Sequence, residues 1–221
     1  VQWLLAPALA DTWREPRLEI TGAPFDLCKG DLVGPRWAAE TGDLALHLVN
    51  GHESTGAVNK ALEVESRWAC IDGAVTPASL QRTALIRAWA AMLEGDTRGF
   101  EAGLRQAAAI DADVPDSVVD LLPAELWQRL AEVRTRSEQL PAWELDLDTE
   151  GLPVEAFLDG VALAWERGGD GHRRSGADVA PGKHLLQIVR PGPRAESAVF
   201  HLGPEGGQVH VEERDDPLSF V

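Results

Sequence analysis

The sequence has little positive charge. Twenty Lys and Arg residues stand against 36 Asp and Glu, which gives a formal net charge of −16, and lysine occurs only three times. Nucleic-acid binding needs basic patches that displace counterions, so this balance argues against a nucleic-acid partner. It argues equally against electrostatic attachment to anionic lipid. The acidity itself indicates solubility rather than a particular function.

Long apolar runs are also missing. No stretch approaches the about 20 consecutive apolar residues of a membrane-spanning helix, so we expect no transmembrane segment. The one short apolar run, residues 1–10, ends in Ala8-Leu9-Ala10, which is typical of a signal-peptide cleavage site. We interpret it as a signal-peptide remnant and expect export to the periplasm or cell surface. The alternative is a cytosolic adaptor in which the same residues belong to the core.

Cysteine is scarce, with only Cys28 and Cys70. An even count in an exported chain favours one disulfide. This disulfide would join an extended N-terminal segment to the end of a helix. It would close a loop of about 40 residues, worth roughly 3–4 kcal/mol in the chain-entropy model. Two buried free thiols are the alternative.

The motifs of common catalytic and metal centres are missing as well. There is no GxSxG, Cys-x-x-Cys, His-Glu-x-x-His or EF-hand spacing, and the glycine-rich residues 168–171 are not followed by Gly-Lys-Ser/Thr. Asp146 and Asp148 share one face of a predicted strand, where a solvated polar face is favoured over a catalytic pair. We therefore predict a protein that is not an enzyme and has no catalytic residue, metal site or cofactor.

Residues 36–140 have the apolar period of amphipathic helices. Gly42-Asp43 is predicted to interrupt or delay the first helix, Gly95 to end the third, and Asp96 to cap the fourth. The predicted helices cover residues 37–49, 54–70, 77–94, 97–110 and a segment that begins near 123. The large apolar stripe of the third helix is Leu85, Trp89, Met92 and Leu93. Trp37, Trp68, Trp89 and Trp127 lie at predicted core positions, the alternative being an aromatic groove for a peptide or glycan.

Part of this region resembles one tetratricopeptide repeat. The residues that carry the resemblance are Ala84, Ala88, Gly95, Asp96, Phe100, Leu104, Ala107 and Ala108. They match the small residue of the first helix of a repeat, its turn and the apolar register of its second helix. Ala112 departs from the pattern, because a proline usually stands there. The resemblance implies helical hairpins that offer a concave binding face.

The apolar period changes from 3.6 to 2 after Leu140-Pro141. The predicted strands cover residues 143–147, 154–158, 161–165, 184–190, 197–202 and 208–212. Short strands separated by Gly-Pro turns indicate an antiparallel β-sandwich. Upstream of the helices, residues 11–35 are broken by Pro and Gly, which predicts an irregular strap with one short strand near residues 17–20.

Two segments of the strand region resemble a PEGA-type domain. Residues 154–160, VEAFLDG, match the strand and Asp-Gly turn of that family, and residues 179–189, VAPGKHLLQIV, match its Pro-Gly-Lys-His turn and following strand. The resemblance implies a small β-sandwich of a kind common in bacterial envelope proteins. The turn chemistry agrees with it, since Asp-Gly favours a tight hairpin and Pro-Gly a type II turn.

A long polar loop, residues 166–178, is predicted between these two segments. Its candidate partner-binding residues are Trp165, Arg167, His172, Arg173 and Arg174. An anion or a partner surface is a suitable target for this group, since function concentrates on loops. The competing and favoured interpretation is a solvated hairpin tip.

Together these features predict an α+β protein of two domains, an N-terminal α-helical domain of repeat-like hairpins and a C-terminal antiparallel β-sandwich. The predicted parts are residues 1–10 (signal-peptide remnant), 11–35 (strap), 36–140 (helical domain), 141–215 (sandwich) and 216–221 (tail). The predicted function is a non-enzymatic scaffold or binding protein of the bacterial cell envelope. Its partner would be an envelope protein, a peptide or a cell-wall glycan, and a hydrolase of envelope polymers is the alternative.

Overall fold

The computed structural model describes residues 16–110, 122–150, 155–167, 172–189 and 195–215. The predicted signal-peptide remnant and tail lie outside these residues. The helices in these ranges are α1 Pro35–Asn50, α2 Ser54–Ser66, α3 Pro77–Glu94, α4 Thr97–Ile110 and α5 Ala124–Ser137, with a short 3-10 helix at Trp68–Cys70. The strands are β1 Pro16–Thr21, β2 Phe25–Leu27, β3 Trp143–Glu150, β4 Glu155–Leu158, β5 Val161–Ala162, β6 Glu166–Arg167, β7 His172–Val179, β8 Gly182–Val189, β9 Ala195–Leu202 and β10 Gly207–Asp215. The predicted α+β layout is confirmed.

The strands form two five-stranded sheets. The outer sheet has the order β1-β10-β3-β7-β6, and the inner sheet has the order β2-β9-β8-β4-β5. Their facing sides bury an apolar core that includes Leu145, Leu147, Ile188, Phe200 and Val211. β10 runs parallel to β3, whereas the other described pairings are antiparallel. The parallel pairing was not predicted.

The N-terminal strap contributes one edge strand to each sheet. β1, which covers the short strand predicted near residues 17–20, pairs with β10 at the far end of the chain. β2 pairs with β9, so that Asp26 lies opposite Val199. The described residues therefore begin in the sandwich at β1 and β2, continue into the helices and return to complete the same two sheets.

The inner sheet is buried on both faces. Leu186 and Ile188 of β8 face the outer sheet, while Leu185 packs against the helical layer with Trp68 and Ile71. The molecule thus has three layers: helices, inner sheet and outer sheet. This explains why the sequence of β8 reads as a nearly continuous apolar run instead of an alternating one.

The predicted interruption of the first helix was wrong. α1 continues through Gly42-Asp43, and Gly42 is buried where α1 passes α3. A Cβ atom on Gly42 would lie 3.3 Å from Nη2 of Arg82, whose Nη1 is 2.8 Å from Oδ1 of Asp43. Gly42 therefore serves a close approach between two helices rather than a chain break.

The ends of α3, the start of α4 and the burial of Leu85 agree with the sequence, but the C-terminal end of the predicted apolar stripe of α3 does not. Gly95 ends α3 with φ 72°, and Oδ1 of Asp96 accepts a hydrogen bond from the amide of Gly99 at 3.0 Å. Leu93, predicted to face the core, is exposed, whereas the small Ala88 is fully buried. A Cβ atom on Gly103 of α4 would lie 2.8 Å from the Ala88 nitrogen. Small residues are needed here because α3 and α4 pack so closely.

The predicted polar loop at residues 166–178 was also wrong, because β6 and β7 occupy most of it. β7 pairs along its length with β3. Ser175 and Val179 point inward and are buried, while Arg174 and Asp178 point to solvent. The polar or small inward residues conceal the period of 2, which is why the strand was missed.

Gly160 provides a first test of the contact between the sandwich and the helices. Its φ is 81°, and an added Cβ would lie 2.3 Å from the Val75 carbonyl oxygen. We expect Gly160→Ala to lower the free energy of unfolding by about 2–4 kcal/mol, because it adds a steric clash to left-handed strain. Gly95→Ala is the matched control, since φ is 72° but nothing lies within 4 Å. Urea unfolding that gives equal losses for both variants would refute the close contact.

Candidate functional site

A cavity of about 390 Å³ lies where the helical layer meets the β2 edge of the inner sheet. We call it the junction cavity. Its walls come from β2 and the following segment, from the end of α2 with the 3-10 helix, and from β8 and β9. The volume lies within the range of small-ligand sites, about 300–1,000 Å³.

The Cys28–Cys70 disulfide joins two walls of the cavity, with 4.6 Å between the Cα atoms. This confirms the predicted pairing. Next to it the amide of Val33 donates to the Cys70 carbonyl at 2.9 Å, and the amide of Asp72 donates to the Val33 carbonyl at 2.8 Å. The disulfide and these two bonds hold the end of the strap against the helical layer.

Lys183 reaches from the start of β8 to the end of α2. Its Nζ donates to the Glu65 carbonyl at 2.6 Å and lies 4.7 Å from the centre of the Trp68 ring. A cation at a helix C-terminus interacts favourably with the unpaired carbonyl groups there. Burial lowers the pKa of the Lys183 ammonium.

Glu65 is a buried carboxylate beside Lys183. Its Oε2 accepts a hydrogen bond from Nη1 of Arg87 at 2.7 Å, and the residue is only 5% exposed. Burial raises the pKa of the Glu65 carboxyl, while the charges of Arg87 and Lys183 oppose that rise. Oε1 of Glu65 has no hydrogen-bond partner among the described residues.

Two more charged groups line the cavity nearer to solvent. Asp26 accepts a hydrogen bond from Nε2 of His201 at 2.9 Å, which lowers the pKa of its carboxyl. The guanidinium of Arg67 lies over the Trp37 ring, 5.4 Å from its centre. The cavity therefore combines fixed charges of both signs with the apolar side chains of Leu27 and Val199.

The two PEGA-like segments meet directly behind Lys183. Oδ2 of Asp159 lies 2.6 Å from Nδ1 of His184, and Oδ1 accepts from the amide of Leu185 at 2.8 Å. Nε2 of His184 lies 2.7 Å from the Ala180 carbonyl oxygen. His184 is 1% and Asp159 5% exposed. This buried pair fixes the start of β8 and hence the position of Lys183.

Buried amide side chains connect the inner sheet to the helices. Oε1 of Gln187 accepts from the amide of Val75 at 3.2 Å, and its Nε2 donates to the Gly73 carbonyl at 2.8 Å. Nε2 of Gln106 donates to the Lys183 carbonyl at 2.6 Å. The segments that resemble a PEGA domain thus form contacts between layers. A polar Gln187 inside the apolar run of β8 was the only sequence signal for this role.

No family model, curated protein or solved structure matches this chain. The resemblances to a tetratricopeptide repeat and to a PEGA domain therefore stay predictions from the residues.

Of the five predicted partner-binding residues, the structure describes the side chains of Trp165 and Arg174. Trp165 is half-buried against the interior of the sandwich. Nε of Arg174, on the solvent face of the outer sheet, donates to Oδ2 of Asp148 at 3.3 Å. The structure does not describe the side chains of the other three predicted residues, Arg167, His172 and Arg173. Neither Trp165 nor Arg174 lines the junction cavity, and their binding role stays a prediction.

Other predicted positions have simple structural surroundings. Of the four helical-region tryptophans, Trp68 is fully buried. The other three, Trp37, Trp89 and Trp127, are partly buried at the margins of the core. Oδ2 of Asp146 lies 3.1 Å from Nδ1 of His210 on the solvent face of the outer sheet.

In the described ranges, no three His, Cys, Asp or Glu residues are arranged to hold a metal ion. No helix in these ranges has the length and apolarity to cross a membrane.

The partly buried ammonium of Lys183 makes stability depend on pH. Its pKa in the folded protein is lower than the ordinary 10.5, so the unfolded chain binds this proton more tightly. Burial of the charged ammonium therefore costs stability below the folded-state pKa. The cost shrinks as pH rises toward 10.5 and is absent above it.

Lys183→Met tests this sign directly. The variant has no ammonium to bury, so its stability lacks this pH dependence. We expect the wild type to gain stability relative to the variant, measured as the difference in free energy of unfolding, as pH rises from neutral to 10.5. Urea unfolding at several pH values measures the difference. Lys60→Met is the control, because Nζ of Lys60 makes a surface ion pair with Glu63 at 2.7 Å. A difference that is constant or decreases over this range would contradict the burial of Lys183.

Proposed function

We propose that the protein is a non-enzymatic binding protein of the bacterial cell envelope, exported to the periplasm or cell surface, which recognises a protein or peptide partner. The observation that carries the proposal is the Cys28–Cys70 disulfide in the wall of the junction cavity. Disulfides persist in oxidising compartments. The assignment to the bacterial envelope rests on the PEGA-like residues 154–160 and 179–189.

The state of the charged groups favours binding over catalysis. Oε2 of Glu65 is paired with Arg87, Lys183 is bonded to a carbonyl, and Asp26 is paired with His201. A general acid or base has to reach the proton of a substrate, whereas these groups are held by structural partners. Charges fixed in this way suit recognition, because little side-chain entropy is lost on binding.

Export is tested by cell fractionation and mass spectrometry of the native protein. We expect the protein in the envelope fraction, with thiols that resist alkylation and a mass two hydrogens below that of the reduced chain. A cytosolic protein with both cysteines alkylated would refute the proposed compartment.

Binding is tested by affinity capture from an envelope extract with the oxidised full-length chain as bait. The control bait is the same chain, reduced and carboxymethylated. We expect one protein partner to be enriched by the oxidised bait and released by excess free oxidised protein. Enrichment of nothing, or turnover of envelope polymers by the purified chain, would contradict the proposal and favour the hydrolase.

A further inference from the structure

We propose that the junction cavity binds the free C-terminal carboxylate of a peptide, with Arg67 and Lys183 as the groups that recognise its charge. The inference rests on the proposed binding function and names the part of the partner that is recognised.

The distribution of positive charge is the first argument. The chain carries a net charge of −16 and only three lysines, yet Lys29 and Lys183 both line this cavity together with Arg67. Two of the three carboxylates in the lining already have partners, since Asp26 is paired with His201 and Glu65 with Arg87. The third, Asp31, is exposed. Among the described residues Lys29 lies 3.9 Å from Oδ1 of Asp26, whereas Arg67 and Lys183 line the cavity without a direct ion pair to a carboxylate.

The free donors of two cations are the second argument. Arg67 is exposed, and among the described residues its guanidinium only stacks on Trp37. Its planar fork of N–H groups fits a carboxylate with two parallel hydrogen bonds. Lys183 gives one proton to the Glu65 carbonyl, and its ammonium has three. A ligand carboxylate would add a direct ion pair to this partly buried ammonium, which Glu65 and Asp26 attract only at a distance.

The apolar surroundings indicate a peptide as the source of the carboxylate. The side chains of Leu27, Ala69 and Val199 line the cavity beside the cations and suit an apolar terminal residue. β2 is the last strand of the inner sheet in the described part of the chain, with Phe25 and Leu27 exposed. An extended peptide can add its backbone to such an edge. A sugar acid would use neither the apolar wall nor the strand edge.

The test is calorimetric titration of the oxidised full-length chain with N-acetyl-Ala-Ala-Leu. The peptide is supplied as the free acid and as the C-terminal amide, and sodium glucuronate serves as the sugar-acid probe. We expect saturable binding of the free acid, with a Kd about tenfold or more lower than that of the amide, because charge-assisted hydrogen bonds are lost in the amide. Glucuronate is expected to bind more weakly than the free acid.

Variants locate the site. Arg67→Gln and Lys183→Met are each expected to weaken binding of the free acid about tenfold, while Lys60→Met leaves it unchanged. Arg67 is exposed, so Arg67→Gln separates binding from folding. Absence of free-acid binding, equal binding of acid and amide, or a Kd unchanged in Arg67→Gln would overturn the inference. Tighter binding of glucuronate would overturn the assignment to a peptide.

The two proposals fail in different ways. If the Arg67→Gln bait captures the same envelope partner as the wild type, the carboxylate site is refuted and the binding function stands. If the wild-type bait captures nothing, the binding function itself is refuted.

Discussion

Replacing Asp159 by alanine is expected to lower the free energy of unfolding by about 2–5 kcal/mol, because it leaves two buried hydrogen-bonding groups without a partner. The substitution removes the acceptor for the Leu185 amide and the partner of His184 Nδ1. Both groups would stay buried without a hydrogen bond, which is more costly than losing the contact alone. Urea unfolding followed by circular dichroism measures the change.

Two further variants separate the causes of this loss. Asp159 has φ 50°, a conformation that asparagine tolerates better than alanine. Asp159→Asn keeps the shape and an acceptor oxygen, so it isolates the interaction with His184 and is expected to cost less. Asp146→Ala is the surface control, because Asp146 also contacts a histidine but on an exposed face, where such pairs contribute about 0–1 kcal/mol. Equal losses for Asp159→Ala and Asp146→Ala would refute the importance of the buried pair.

Removing the disulfide is expected to destabilise the protein by about 4 kcal/mol in the chain-entropy model. Cys28 and Cys70 are 42 residues apart, so the crosslink restricts a long loop of the unfolded chain. In the folded protein it also holds β2, whose three residues pair only with β9 in the described part. We expect reduction to increase amide hydrogen exchange in residues 25–33 before any other strand is affected.

The matched control is Cys28→Ala/Cys70→Ala. Its denaturant midpoint is expected to equal that of the reduced wild type and to be unaffected by dithiothreitol. A wild type whose midpoint does not change on reduction would contradict the stabilising role of the disulfide.

Local chemistry explains which parts of the fold the sequence predicts. α3 begins at Pro77 and ends before Gly95, and Asp96 caps α4, because each signal acts within one helical turn. The change to strands after Leu140-Pro141 is equally local. The disulfide was predictable because the sequence has two cysteines, which have only each other as partners within the chain.

The missed features depend on distant residues. β1 and β2 pair with β10 and β9 across almost the whole chain, and no local pattern encodes such a pairing. Gly42 was interpreted as a helix break because its contact with Arg82 is not visible in the sequence. The outer strand β7 was interpreted as a loop because its buried Ser175 is polar.

The candidate site was also missed because its residues are far apart in the sequence. The Lys183–Glu65 contact joins residues 118 positions apart, and neither residue stands in a recognisable motif. The sequence pointed instead to Trp165 and Arg174, which lie on different sides of the outer sheet. The turns at Gly160 and Gly182 were predicted from local backbone chemistry, but their contacts with Val75 and Ala109 of the helical layer were not.

The central claim is that the helices and both sheets form one unit, with the junction cavity between the helices and the inner sheet. Differential scanning calorimetry of the oxidised full-length chain tests it most directly. We predict a single transition whose calorimetric and van't Hoff enthalpies agree, because Gln187, Lys183 and Gly160 tie the layers together. Two separate transitions, with the strands still folded after the helices have melted, would contradict it.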